Sequence, residues 1–226
     1  MRWLSSCCYV GVRGPRSEAT LREWGYDGQL EVSGDPALLL ERPAGTQRRE
    51  GLVVVSPAWT NGELWGGSDD VVMAVLAKSV EQWLAEGRDV AFLSCNPDDD
   101  RPIFETMRAA GRPDLPYSAG YRDLDAALRL LAEADLVVGE RLHAVVLAAA
   151  VGTPFVALEY RPKLADFAAS VGADDVVVRT DQVSVERIGA AAERARQLVP
   201  TVAQHVEEYR RRLRAAGEVI REAVEG

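Results

Sequence analysis

An α/β protein built on a doubly wound, mainly parallel, Rossmann-like sheet is the fold class that the sequence predicts, and three observations predict it. Short continuous runs of Val, Leu, Ala and Phe recur along the chain, as strands covered on both faces require. Segments of helical periodicity separate them, so successive strands are joined by crossovers and lie parallel. The 226 residues suffice for one substantial core.

The first strand is expected at 8–12, and Pro15 and Ser17 suit the start of a helix over 17–24. The turn Gly34-Asp35-Pro36 and a polar loop over 42–50 close this part, read as a remnant of an N-terminal domain with a linker over 1–50. The main unit, 51–200, holds strands at 52–56, 90–94, 136–138, 155–158 and 176–178. Helices are expected between them at 69–86, 102–110, 124–132, 140–151 and 162–171. A separate amphipathic helix is expected over 201–224, within a C-terminal segment 201–226. Val202, Val206, Tyr209, Leu213, Ala216 and Ile220 form its stripe, the pattern of a core-facing helix.

A net charge of −9 excludes a basic nucleic-acid surface, so any anion site must be a local cationic pocket on an acidic body. Cys7, Cys8 and Cys95 make no disulfide framework and stand at no metal-ligand spacing; they are read as buried thiols in a reducing compartment. The first ten residues lack the apolar run and cleavage site of a secretory signal. No stretch approaches the roughly 20 apolar residues of a membrane span. A cytoplasmic protein is expected.

The most informative stretch is Asp135-Leu-Val-Val-Gly-Glu-Arg-Leu-His143, read as a buried strand, a glycine turn and a helix start. Helix N-termini favour acidic residues, so Glu140 fits there while Arg141 and a protonated His143 do not. A bound anion would make such donors tolerable, since strand-to-helix turns bind phosphates and carboxylates. The alternative is an Arg snorkelling to a surface carboxylate and a half-buried structural His. The next strand ends in Glu159-Tyr160-Arg161-Pro162-Lys163, with Pro162 suited to the first helical position and Lys163 in the first turn. In an open parallel sheet both segments lie at the carboxyl edge, where ligands bind.

Other residues are weaker. Arg13, at the tip of the first strand, suits a carboxylate or phosphate, or simply the surface. Asp35 either caps its turn or faces a ligand. Asp98 to Asp100 could ligate a cation, but Asp98 or Asp99 is rather expected to cap the helix that follows. The loop over 59–68 offers tryptophans that suit a sugar ring or a bare surface, and His205 is read as solvated. The motifs G-x-x-x-x-G-K-[ST], G-x-G-x-x-G and G-x-S-x-G are absent.

Taken in order, Val12-Arg13-Gly-Pro-Arg-Ser17, Gly34-Asp35-Pro36, Glu140-Arg141-Leu-His143-Ala144, Gly152-Thr-Pro-Phe-Val156 and Tyr160-Arg-Pro-Lys163 resemble the polysaccharide pyruvyl transferase family. The resemblance implies the C-terminal half of a GT-B-type two-domain transferase. It implies transfer of pyruvate from phosphoenolpyruvate to two hydroxyls of a saccharide acceptor as a cyclic ketal, in cell-surface polysaccharide biosynthesis. Arg13, Arg141 and Lys163 would then hold the donor's carboxylate and phosphate, with Asp35 and Tyr160 also in the substrate site. His143 would be the general acid and Glu159 the base, with no metal and no cofactor beyond the donor. Family members carry an N-terminal α/β domain before the first of these segments, whereas here Met1 precedes it by about ten residues. A self-associating chain or a separate N-terminal-domain partner is therefore expected, and activity of this chain alone is doubtful. Two other readings stay open: the donor half of a nucleotide-sugar glycosyltransferase, and a non-catalytic anion- or sugar-binding remnant.

Overall fold

The computed structural model describes residues 3–60, 68–96, 100, 103–105, 117–119 and 122–225. Its centre is a six-stranded parallel sheet formed by β3 (Val53–Ser56), β4 (Val90–Ser94), β5 (Tyr117–Ala119), β6 (Leu136–Gly139), β7 (Phe155–Glu159) and β8 (Val177–Arg179). The strand order is β5-β4-β3-β6-β7-β8, every pairing parallel. The chain thus enters at the middle of the sheet, winds to one edge, returns to the middle and winds to the other. This is the doubly wound order, and its reversal leaves a crevice between the carboxyl ends of β3 and β6. There Ser56 pairs with Gly139.

Strands β3, β4, β6 and β7 are buried along their whole length, which explains why they read as unbroken apolar runs. Helices α1 (Pro15–Glu23), α2 (Asp69–Ala85), α3 (Leu124–Glu133), α4 (Leu142–Ala150), α5 (Pro162–Ser170) and α6 (Val185–Glu225) surround the sheets. In α4 every residue except His143 is buried, and a Cβ at Gly139 would stand 3.0 Å from Val145 Cγ2. Small residues therefore seat this helix tightly on the end of β6.

Residues before 51 join the same body. A second sheet of two short parallel strands, β1 (Gly11–Val12) and β2 (Glu31–Val32), leads to a 3-10 turn at Pro36–Leu39, whose Leu38 is fully buried in the main core. The first strand is shorter than expected, and Cys7 and Cys8 lie outside it. Both thiols are exposed and Cys95 is half-buried, which corrects the expectation of buried thiols. The last helix starts at Val185 rather than 201 and runs through Pro200 for 41 residues. Proline costs a backbone hydrogen bond, but Ala191, Ala192 and Ala195 before it and Val202 and Val206 after it are all anchored in the core. The expected stripe faces the core as far as Ala216; Ile220 and Val224 are exposed. His205 bonds its own helix, with Nδ1 2.9 Å from the Thr201 carbonyl. No helix among the described residues is long and apolar enough to cross a membrane.

Candidate functional site

The crevice side of the sheet is built from the turns after β3, β4, β6 and β7. After β6 the chain turns abruptly: the N–H of Glu140 donates to Ser56 O at 2.9 Å, and α4 begins only at Leu142, with Arg141 as its N-cap residue. Glu140 is therefore outside the helix and fully buried, instead of decorating an exposed first turn. Its Oε2 accepts from the N–H of Ala58 at 2.9 Å, while Oε1 has no hydrogen-bond partner among the described residues. Burial, with Asp69 and Asp100 nearby, pushes its carboxyl up to about 8, against the weaker pull of Ala58 N–H and Arg141.

Arg141 is answered within the chain. Its Nε donates to Asp100 Oδ1 at 2.9 Å and its Nη2 bonds the same oxygen. Asp100 Oδ2 in turn accepts from Ser94 Oγ and from the N–H groups of Cys95 and Asn96. Of the two sequence readings of Arg141, pairing with a carboxylate of the chain is the one this geometry displays, although the carboxylate is buried. The presence of the arginine alone does not require a ligand. Beside this cluster, burial pushes the Cys95 thiol up, which keeps it protonated and poorly nucleophilic. His143 follows in the first turn of α4, exposed.

Because Gly139 pairs with Ala157, β6 and β7 are neighbours, and the two sequence segments singled out as cationic do share one edge. At the end of β7, Lys163 lies in the first turn of α5 with Nζ 5.0 Å from the centroid of the buried Tyr160 ring. No carboxylate among the described residues lies within ion-pair distance of Lys163. Glu159 is nearly buried and stands 3.7 Å from Arg16. The Arg13–Ser17 segment is docked on the same edge. The N–H of Arg16 and the hydroxyl of Ser17 both donate to Asp166 of α5 at 2.7 Å. Arg13 pairs with Asp35 at 3.6 Å, and its Nε is buried without a partner among the described residues. Asp35 also accepts from Ala37 N–H at 3.0 Å, so it caps its turn and neutralises Arg13.

Two helix starts on this edge differ from the rest. Helices α2 and α3 are capped by their own Ser68 and Asp123, and α1 by Asp166. Helices α4 and α5 have no side-chain cap, and each carries a basic residue, His143 or Lys163, in its first turn. The pairing of Asp100 with Arg141, the role of Asp166 and the burial of Glu140 were not foreseen; Asp166 offered one signal, an acid between the apolar Leu164 and Phe167. The expected caps Asp98 and Asp99, nearly all of the helix over 102–110, and residues 61–67 of the aromatic loop lie outside the described residues. No group of three metal-ligating side chains occurs among the described residues.

The family model of the polysaccharide pyruvyl transferases matches residues 1–162. No curated protein matches the chain by sequence. Among solved structures the chain is similar to the GtfA/B complex, at 15% identity and a TM-score of 0.58, over 98% of this chain and 46% of that one. It is also similar to a putative UDP-N-acetylglucosamine 2-epimerase from Listeria monocytogenes, at 13% identity and TM-score 0.54, over 85% and 52%. A third is sucrose-phosphate synthase from Thermosynechococcus elongatus, at 16% and 0.52, over 96% and 58%. At these identities the likeness is one of fold: an α/β, doubly wound, Rossmann-like unit of the kind found in GT-B-type structures. The chain spans about half the length of these structures.

Proposed function

The chain belongs to the polysaccharide pyruvyl transferase family, and on that premise we propose that it forms the donor side of a transferase that moves pyruvate from phosphoenolpyruvate to a saccharide as a cyclic ketal. The observation that carries this reading is the pair of uncapped helix starts, α4 and α5, set on neighbouring strands with His143 and Lys163 in their first turns. Open N–H groups, aligned dipoles and a cation suit a ligand bearing two anions a few ångströms apart.

In this scheme Lys163 and the N–H groups at the start of α5 hold one anion of the donor, while Arg13 and Arg141 hold the other from within their carboxylate pairs. Tyr160 backs Lys163 through its ring face. His143 gives its proton to the methylene carbon, which becomes the methyl group and leaves C2 electrophilic. One sugar hydroxyl adds to C2 and a second displaces phosphate, each losing a proton. Glu159, beside Arg16, is the carboxylate assigned to receive one of these protons, and the other returns to His143. Cations at the phosphate stabilise the leaving charge. No cofactor enters this scheme. Saccharide acceptor, cell-surface polysaccharide synthesis and a cytoplasmic setting follow from the same reading, and the exposed Cys7 and Cys8 suit a reducing compartment. A second copy or a separate domain is the proposed source of the acceptor side.

Calorimetric titration with phosphoenolpyruvate tests the donor side directly. Lys163→Met is expected to weaken binding by about tenfold, the scale of one charge-assisted contact. His143→Ala should bind almost as well as the wild type. Arg141 is left intact, because its removal would strand the buried Asp100. A folded wild-type chain that takes up no phosphoenolpyruvate would sink the donor reading.

A further inference from the structure

Of the two buried side-chain atoms without a partner among the described residues, one belongs to Arg13 and the other to Glu140, which the scheme above does not use. Glu140 lies where the chain reverses its winding, and it joins the two sides of that reversal twice: its N–H bonds Ser56 O and its Oε2 accepts from Ala58 N–H. The loop after β3 is held at a second point by Asp69, whose Oδ1 accepts from the Thr60 N–H and hydroxyl at 3.2 and 2.8 Å. The turn carrying Arg141 and His143 is thus clamped to the start of α2 through Ala58 and Thr60.

We propose that Glu140 is a positioning residue of the donor site, which latches the Pro57–Thr60 loop to the turn bearing Arg141 and His143 and keeps that turn receptive to an anion. The inference rests on the donor reading above. Three charged groups bear on the latch: Asp69 from α2, Asp100 from the turn after β4, and Arg141 beside it. The two acids oppose a charge on Glu140. Arg141 favours that charge, but burial opposes it more strongly. One oxygen is buried and without a partner among the described residues, and burial pushes the carboxyl up to about 8. The neutral group adds no negative charge next to Arg141. Once ionised, it would add a buried charge that repels an anionic donor. A merely structural glutamate would hold the loop equally well at any pH in this range.

The experiment follows the 15N–1H shift of the buried Ala58 amide between about pH 6.5 and 9.5, without ligand. It is paired with the dissociation constants of phosphoenolpyruvate and of inorganic phosphate over the same range. The wild type is expected to give one step in the Ala58 shift near pH 8. Affinity should fall about tenfold across it, the scale of one uncompensated charge. Glu140→Gln keeps a neutral acceptor for Ala58, so it should show neither the step nor the fall. An Ala58 shift without a step overturns the proposal on the wild type alone, even if the variant fails to fold. So does a Gln variant that keeps the wild-type pH profile of binding. Donor binding that ignores pH removes the role of Glu140 and leaves the donor reading standing. Absence of binding to either anion at every pH removes both.

Discussion

At the C-terminal end of α4 the carbonyls that the helix leaves open are all met, whereas at its N-terminal end open and unpartnered groups accumulate. Arg210 Nη2 donates to Ala150 O at 2.9 Å, Arg42 Nη1 to Val151 O at 3.1 Å and Arg48 Nη2 to Gly152 O at 2.8 Å. Gly152, at φ +75°, closes a Schellman turn in which its own N–H reaches Ala149 O and that of Thr153 reaches Ala148 O. Cations and closed hydrogen bonds suit the negative end of the helix. At the other end no side chain caps the first turn, His143 is exposed and one oxygen of Glu140 has no partner among the described residues. One end of the same helix is built for stability and the other keeps its interactions in reserve, as a binding edge does.

The largest test of this contrast is at the closed end. Arg210→Ala removes donors to Leu38, Leu40 and Ala150 from a largely buried guanidinium. Urea unfolding should show a loss of about 3 kcal/mol, from hydrogen bonds of a charged donor to carbonyls that stay buried. Affinity for phosphoenolpyruvate should not change. An unaffected stability would break the contrast from below.

A smaller effect of opposite sign is expected at the open end. The carboxyl of Glu140 is raised from its ordinary 4.5 to about 8 in the folded chain, so the folded state keeps its proton where the unfolded state has lost it. Stability therefore falls as pH rises from about 4.5 to about 8 and levels off above. Glu140→Gln lacks this penalty but carries an unpaired amide donor. The net effect should be a gain of about 2 kcal/mol at pH 8.5 that turns into a loss of about 3 kcal/mol at pH 4, read from urea midpoints at the two pH values. A gain equal at both would locate the effect elsewhere. The smallest effect belongs to His143→Ala, which should shift stability by less than about 0.5 kcal/mol because the side chain is exposed.

Much of the fold was legible because the buried strands β3, β4, β6 and β7 are continuous apolar runs, and their neighbourhood follows from right-handed crossovers. β2 and β5 were not, since two residues around Glu31 and three around Ser118 carry no pattern. Pro200 looked like a boundary because its local effect is to end a helix; tertiary packing on both sides overrides it. At the site, the sequence located Arg141, His143 and Lys163 on one edge. It did not reveal that Arg141 is met by Asp100, 41 residues earlier in the chain, or that Asp166 caps a helix some 150 residues before it. Such pairings depend on the winding of the chain, and local spacing holds no trace of them. Glu140 misled for the opposite reason: its local fit to a helix start was good, and the helix begins two residues later.

The near-total burial of α4 also limits how this site can change over time. His143 rides on a helix whose other eight residues are all inside the protein. Its direction cannot be re-aimed by substituting those neighbours without disturbing the interior. Changes in what this edge binds are therefore expected to come from residues outside this helix, with the histidine as a fixed reference point.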